Sequence, residues 1–103
     1  MKPRVVCLCG STRFMEAWKR VYREESLAGH IVLAAGVMVH AGDEPIRDEG
    51  PVKQMLDELH LRKIDLADEV LVLNVGGYIG DSTRREVAYA QERGKLVRWL
   101  EPR

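Results

Sequence analysis

Glu86 is the residue on which a chemical reading of this sequence turns. Ahead of it come the run Val70-Leu71-Val72-Leu73-Asn74-Val75, then Gly76, Gly77 and Gly80, then Asp81-Ser82-Thr83. The apolar run, with its β-branched members, reads as a strand buried on both faces. The glycines read as a loop that needs close backbone approach or positive φ. Asp81, Ser82 and Thr83 then start a helix whose first amides lack intrahelical partners. Strand, glycine loop and helix N-terminus together favour an anion. A carboxylate in the first turn beside that positive end needs a reason, and there are two. Thr83-Arg84-Arg85-Glu86 fits a capping box, in which Glu86 bonds back to the Thr83 amide. Alternatively Asp81 or Ser82 is the cap, and Glu86 is free to attack an anomeric carbon through an oxocarbenium-like transition state. On the residues alone the cap is the simpler reading.

Gly10-Ser11-Thr12-Arg13 is the second cluster. Glycine permits close approach, hydroxyls and helix-end amides bind an anion, and arginine grips a phosphate bidentately. The plain alternative is a capped turn with Arg13 in solvent. Cys7, five residues and Arg13 also match the spacing of cysteine-dependent phosphatases. Leu8 and Cys9 continue a strand, however, which buries Cys7 and leaves its thiol inert. Tyr78 either stacks on a base or anchors its loop. His40, in a long irregular segment, is a candidate for touching a base. Asp43 and Glu44 there would protonate a leaving base if the segment closes as a lid. His30, His40 and His60 lack metal-ligand spacing, so no metal is expected. His60 reads as a helix-surface residue and Asp68 as structural.

The elements that must position these groups are read from periodicity. Arg4 to Cys9 is a first, central strand. A helix follows, with Ser11 or Thr12 as N-cap and Phe14, Ala17, Trp18, Val21 and Tyr22 on one face. Gly29 closes it. Ile31 to Ala35 is a second strand. The segment from Gly36 to Gly50 is a lid, a binding loop or disorder. Pro51 opens a second helix with Val52, Met55, Leu56, Leu59 and Leu66 as its buried stripe. Leu61 and Ile64 fall elsewhere on the wheel, which suggests a second apolar face and a homodimer or higher homo-oligomer. The third strand and helix, with Val87 and Ala90 inward, and a short strand from Lys95 to Leu100 complete the chain. The alternation predicts an α/β fold: about four parallel strands in order 2-1-3-4, doubly wound with helices on both faces. Ligands of such sheets bind where the order reverses. The loops Gly10–Arg13 and Val75–Thr83 leave from those two strand ends, so they should meet.

Composition narrows the classes. The 103 residues suit a single domain, 46% are apolar, and sixteen basic residues balance sixteen acidic ones. There is no field for a nucleic-acid polymer or an acidic membrane, and no apolar run long enough to span a bilayer. No signal-peptide pattern precedes the first strand. Cys7 and Cys9, the only cysteines, face the same way two residues apart and make a poor disulfide, so a reducing, cytoplasmic setting is expected. A phospho-acceptor receiver would want acids where Cys9 and Asn74 stand, and a flavin shuttle would need aromatic clamps.

Cys-Gly-Ser-Thr-Arg after the first strand, Ala67-Asp68-Glu69-Val70, and a glycine-rich loop leading to Glu86, Tyr89-Ala90 and Gly94-Lys95 together resemble the nucleoside 2-deoxyribosyltransferase superfamily, its nucleotide N-hydrolase branch above all. The resemblance runs over nearly the whole chain. It implies a small flavodoxin-like or Rossmann-like three-layer sandwich and cleavage of an N-glycosidic bond in a (deoxy)nucleoside or its 5′-monophosphate. It also implies dimers in which a neighbour completes the pocket, and no cofactor. Glu86 falls at the family's nucleophile. Gly10, Ser11 and Arg13 fall where the hydrolase branch holds its phosphate, with Ser82 near the same group; Thr12, Gly77, Tyr78, Gly80, Asp81 and His40 complete the expected substrate contacts. Two positions depart: Cys7 stands where the family commonly has tyrosine, and His60 where it has the aspartate that sets the sugar and the glutamate. Asp57, Asp65 or His60 would have to substitute. The departures keep a second class open, a non-catalytic nucleotide-binding or sensing module.

Overall fold

A computed structural model describes residues 2–35 and 50–103. In chain order these form β1 (Val5–Cys9), α1 (Met15–Leu27), β2 (Ile31–Leu33), α2 (Pro51–Leu66), β3 (Glu69–Val72), α3 (Asp81–Glu92) and β4 (Leu96–Trp99). A short 3-10 turn, Val75–Gly77, links β3 to α3. The four strands are all parallel and lie in the order β2-β1-β3-β4, as the alternation predicts. Parallel neighbours cannot be joined by a hairpin, and helical crossovers cover both faces of the sheet.

Strand alternation divides the core. Val6 and Leu8 turn to one face and pack with Leu71, Leu73 and the α1 residues Trp18 and Val21. Cys7 and Cys9 turn to the other, with Val70, Val72, Ile64 and Ala67, and with Val87 and Ala90 of α3. α1 thus covers one face, α2 and α3 the other. The expected inward positions of α3 are the observed ones.

Several elements differ in detail. Neither Ser11 nor Thr12 caps α1. The helix begins one residue after Phe14 and has no side-chain cap. The Ser11 carbonyl instead accepts from Trp18 Nε1 at 2.9 Å and from the Phe14 amide at 3.2 Å, which ties the turn to the core. Tyr22 is half-exposed rather than inward. Gly29 follows α1 with φ 88°, the left-handed closure expected of it. β3 stops at Val72. Leu73 and Asn74 stay buried beyond it, and the Asn74 amide is held by the backbone of Glu101, Nδ2 donating at 3.1 Å and Oδ1 accepting at 2.9 Å. Asp68 is structural as expected, its Oδ2 accepting from the Val5 amide at 2.8 Å.

The largest correction concerns α2. Val52, Met55, Leu59 and Leu66, expected in the core, are 47–71% exposed, while Ile64 is wholly buried and Leu61 packs beside it. The helix docks through the residues assigned to its second face. Among the described residues, no helix is long and apolar enough to cross a membrane.

Candidate functional site

The reversal of strand order falls between β1 and β3, and the two loops leaving their carboxyl ends are in contact. The Leu73 amide donates to the Cys9 carbonyl at 2.8 Å, which continues the pairing past β3. Gly10 lies so close that an added Cβ would stand 3.0 Å from the Leu73 Cβ and 3.2 Å from its carbonyl oxygen. Farther along, the Arg13 guanidinium stacks 4.6 Å from the Tyr78 ring centroid, and Phe14 meets the same ring edge-on at 5.9 Å. Ser11 Oγ accepts from the Arg13 amide at 3.3 Å and from Arg13 Nε at 3.2 Å. Thr12 is half-buried within this turn. An exposed guanidinium is therefore held in one place by a hydroxyl and an aromatic face. Tyr78 anchors the loop; its half-exposed ring also leaves apolar surface beside Arg13.

The glycine loop is less open to an anion than its composition suggests. Gly76 and Gly77 have φ of 63° and 82°, as a glycine turn requires. Their amides, however, are spent inside the protein. Gly76 donates to the Glu101 carboxylate at 3.0 Å, Gly77 to the Asn74 carbonyl at 2.8 Å, and Tyr78 to the Val75 carbonyl at 3.1 Å. Glu101, unassigned by the sequence reading, takes the place of an external anion there. Gly80 is the N-cap of α3, with no side-chain cap. An added Cβ at Gly80 would stand 3.3 Å from the Tyr78 hydroxyl. Asp81 is exposed, and the half-buried Ser82 accepts at its Oγ from Arg85 at 3.2 Å.

Because α3 begins at Asp81, Glu86 lies in its second turn, not its first. The capping-box reading is thereby overturned, since the cap is Gly80 and Thr83 is already inside the helix. The Glu86 side chain is only 16% exposed and faces α2, its Oε1 standing 3.8 Å from His60 Nε2. His60 is no surface residue: its side chain is 11% exposed. Its Nε2 stands 3.7 Å from Cys7 Sγ and 3.4 Å from Cys9 Sγ. Of the residues weighed as substitutes for the family's aspartate, His60 is the one paired with Glu86. Asp57 pairs with Lys53, and Asp65 accepts from the Tyr89 hydroxyl at 2.7 Å and from Arg62 Nε at 3.0 Å.

The electrostatics of this cluster follow from burial and contact. Burial pushes the Glu86 carboxyl up, partly offset by His60. Desolvation opposes charge on His60, but its hydrogen bond to Cys7 and the charge of Glu86 outweigh it and raise its pKa. The hydrogen bond from Cys9, then His60, bring the Cys7 thiol down to about 5 against its desolvation, while Cys9 is pushed up by the Cys7 bond and by burial. Cys7 is buried as expected.

Cys9 is the residue the sequence reading missed, and His60 it weighed only as a substitute for the family's aspartate, not as a partner of the cysteines. Strand alternation put the two sulfurs on one face, but nothing local showed which α2 residue would meet them. His40, Asp43 and Glu44 lie outside the described residues. Compared with models of known protein families and with characterised protein sequences, the chain matches none.

Proposed function

We propose that this protein is a glutamate-dependent N-glycosidase or deoxyribosyltransferase acting on a (deoxy)nucleoside or its 5′-monophosphate. One observation carries the reading: the Glu86 carboxylate is held off its own helix start, nearly buried, against an imidazole at the strand-order reversal. Glu86 attacks C1′ as the bond to the base breaks, and the base leaves with a proton from an acid. Water, or a second base, then displaces Glu86 to give the sugar phosphate or a new nucleoside. His60 takes the aspartate's part by orienting the nucleophile. The Arg13 guanidinium with Ser11, and the N-terminal amides of α3 near Ser82, are the groups suited to the phosphate. The Gly76 and Gly77 amides are not, being engaged already. Two free, buried cysteines accord with a reducing, cytoplasmic setting. The exposed stripe of α2 accords with a homodimer.

The test is incubation with a panel of nucleosides and (deoxy)nucleoside 5′-monophosphates, with free base followed by chromatography. Base release is expected from at least one substrate. Glu86→Gln should lower it by about 10⁴-fold or more while leaving the fold intact. Nucleotide binding without base release would instead assign the site to sensing. Release unchanged in the Gln variant would remove Glu86 as nucleophile.

A further inference from the structure

Cys7, Cys9, His60 and Glu86 converge from three elements, and their donor atoms are of the kinds that bind a borderline-soft metal. We propose that Cys7, Cys9 and His60, with Glu86 as fourth ligand, form a binding site for a thiophilic divalent ion, zinc foremost. The site does not rest on the glycosidase reading and competes with it, since a bound ion would engage the same Glu86 carboxylate and His60 imidazole. The two sulfurs and the imidazole nitrogen all lie within 4.8 Å of one another. Tetrahedral zinc, with bonds of about 2.3 Å to sulfur and about 2.0–2.1 Å to nitrogen, sets sulfur–nitrogen edges of about 3.6 Å. The observed edges are 3.7 Å from Cys7 and 3.4 Å from Cys9. A zinc-bound carboxylate would stand about 3.4 Å from the imidazole nitrogen. Glu86 Oε1 is at 3.8 Å from that nitrogen but outside the group whose donor atoms all lie within 4.8 Å, so its side chain must swing inward to complete the shell.

Chemistry and charge agree with the geometry. Thiolate and imidazole select zinc over magnesium or calcium, which want oxygen. Two thiolates and a carboxylate outweigh a dication by one charge. Lys63, whose ammonium donates to the Ala34 carbonyl at 2.7 Å and acts electrostatically on both Cys7 and His60, balances it. The cysteines are wholly buried, while His60 and Glu86 keep slight exposure, which gives an ion its way in.

Cobalt(II) titration of the whole, reduced, chelator-stripped protein tests the site. One equivalent should produce thiolate-to-cobalt charge transfer and the intense visible bands of tetrahedral cobalt, both abolished by competing zinc. Zinc alone should raise Tm. His60→Ala should weaken binding at least about tenfold, since even an outer partner of a ligand is worth that much. Glu86→Gln should retain the charge-transfer band with weaker affinity. A wild-type spectrum without charge transfer overturns the proposal, as does a band that survives unchanged in both Cys7→Ser and Cys9→Ser. The wild-type spectrum decides even if a serine variant fails to fold. Because its readout is spectroscopic, failure here is distinguishable from failure of base release.

Discussion

A methyl group on Gly10 would press on Leu73 at 3.0 Å from its Cβ and 3.2 Å from its carbonyl oxygen, and a backbone oxygen cannot rotate away. Overpacking of this kind costs about 1–3 kcal/mol. Gly10→Ala should therefore lower Tm by several degrees, since about 1 kcal/mol moves a domain of this size by about 4–8 °C. An unchanged melting curve would mean that the two loops have slack and that the contact does not fix their spacing. Gly10 was legible as a close-approach glycine from its place after a strand. Glu86 was legible as an anomalous carboxylate too, but the capping box put the helix cap at Thr83, three residues past the observed Gly80, which made a cap look natural. The cysteine–imidazole contact was not legible. It joins residues 51 and 53 positions apart, and only the rotation of α2 against the sheet decides it.

That rotation is the element-scale lesson. At about 100° per residue, Val52, Met55, Leu59 and Leu66 share an arc of about 60° and form the most apolar stripe of α2. Periodicity identifies such a stripe but not what covers it. In the fold the sheet takes Ile64, Leu61 and His60, so polar groups at the strand ends occupy ground that hydropathy assigned elsewhere. Side-chain charge also joins elements at the opposite end of the sheet. The buried Glu69 of β3 accepts from Arg4 Nε at 2.9 Å and Arg98 Nε at 2.8 Å, and Arg98 also reaches Glu25 of α1 at 2.6 Å. Desolvation pushes both carboxyls up, but the arginines, with His30 at Glu25, outweigh it, so both lie below the usual 4.5. A lowered folded pKa gives stability that is complete above the unfolded value and is lost as pH falls through the folded one. Unfolding free energy should thus decline below about pH 4.5. Glu69→Gln should cost about 1–3 kcal/mol at neutral pH and flatten that decline, as urea titrations across pH would show. Equal acid slopes in both proteins would exclude Glu69 as a source of the effect.

For the whole molecule, strand order was legible because strands alternate with helices along the chain, and right-handed crossovers leave few arrangements of four parallel strands. What the order leaves undecided is how the apolar surface of α2 is hidden. Four large side chains aligned on one helix face, each about half exposed or more, are unusual on a protein that stays single. A second copy is the simplest cover: a twofold axis across α2 sets each stripe against its own image, with the Glu58–Arg62 pair on its flank. A stable pair needs about 1,200 Å² or more buried in total, so neighbouring surface must join the stripe. Size-exclusion with light scattering at low protein concentration should give a dimer for the wild type. Leu59→Glu would place a charge in the centre of each stripe and should give a monomer. Its Tm at matched subunit concentration should fall only by the lost association, because Leu59 is not part of either core cluster. A wild-type protein that remains monomeric as concentration rises would mean that this stripe is covered by something other than its own copy.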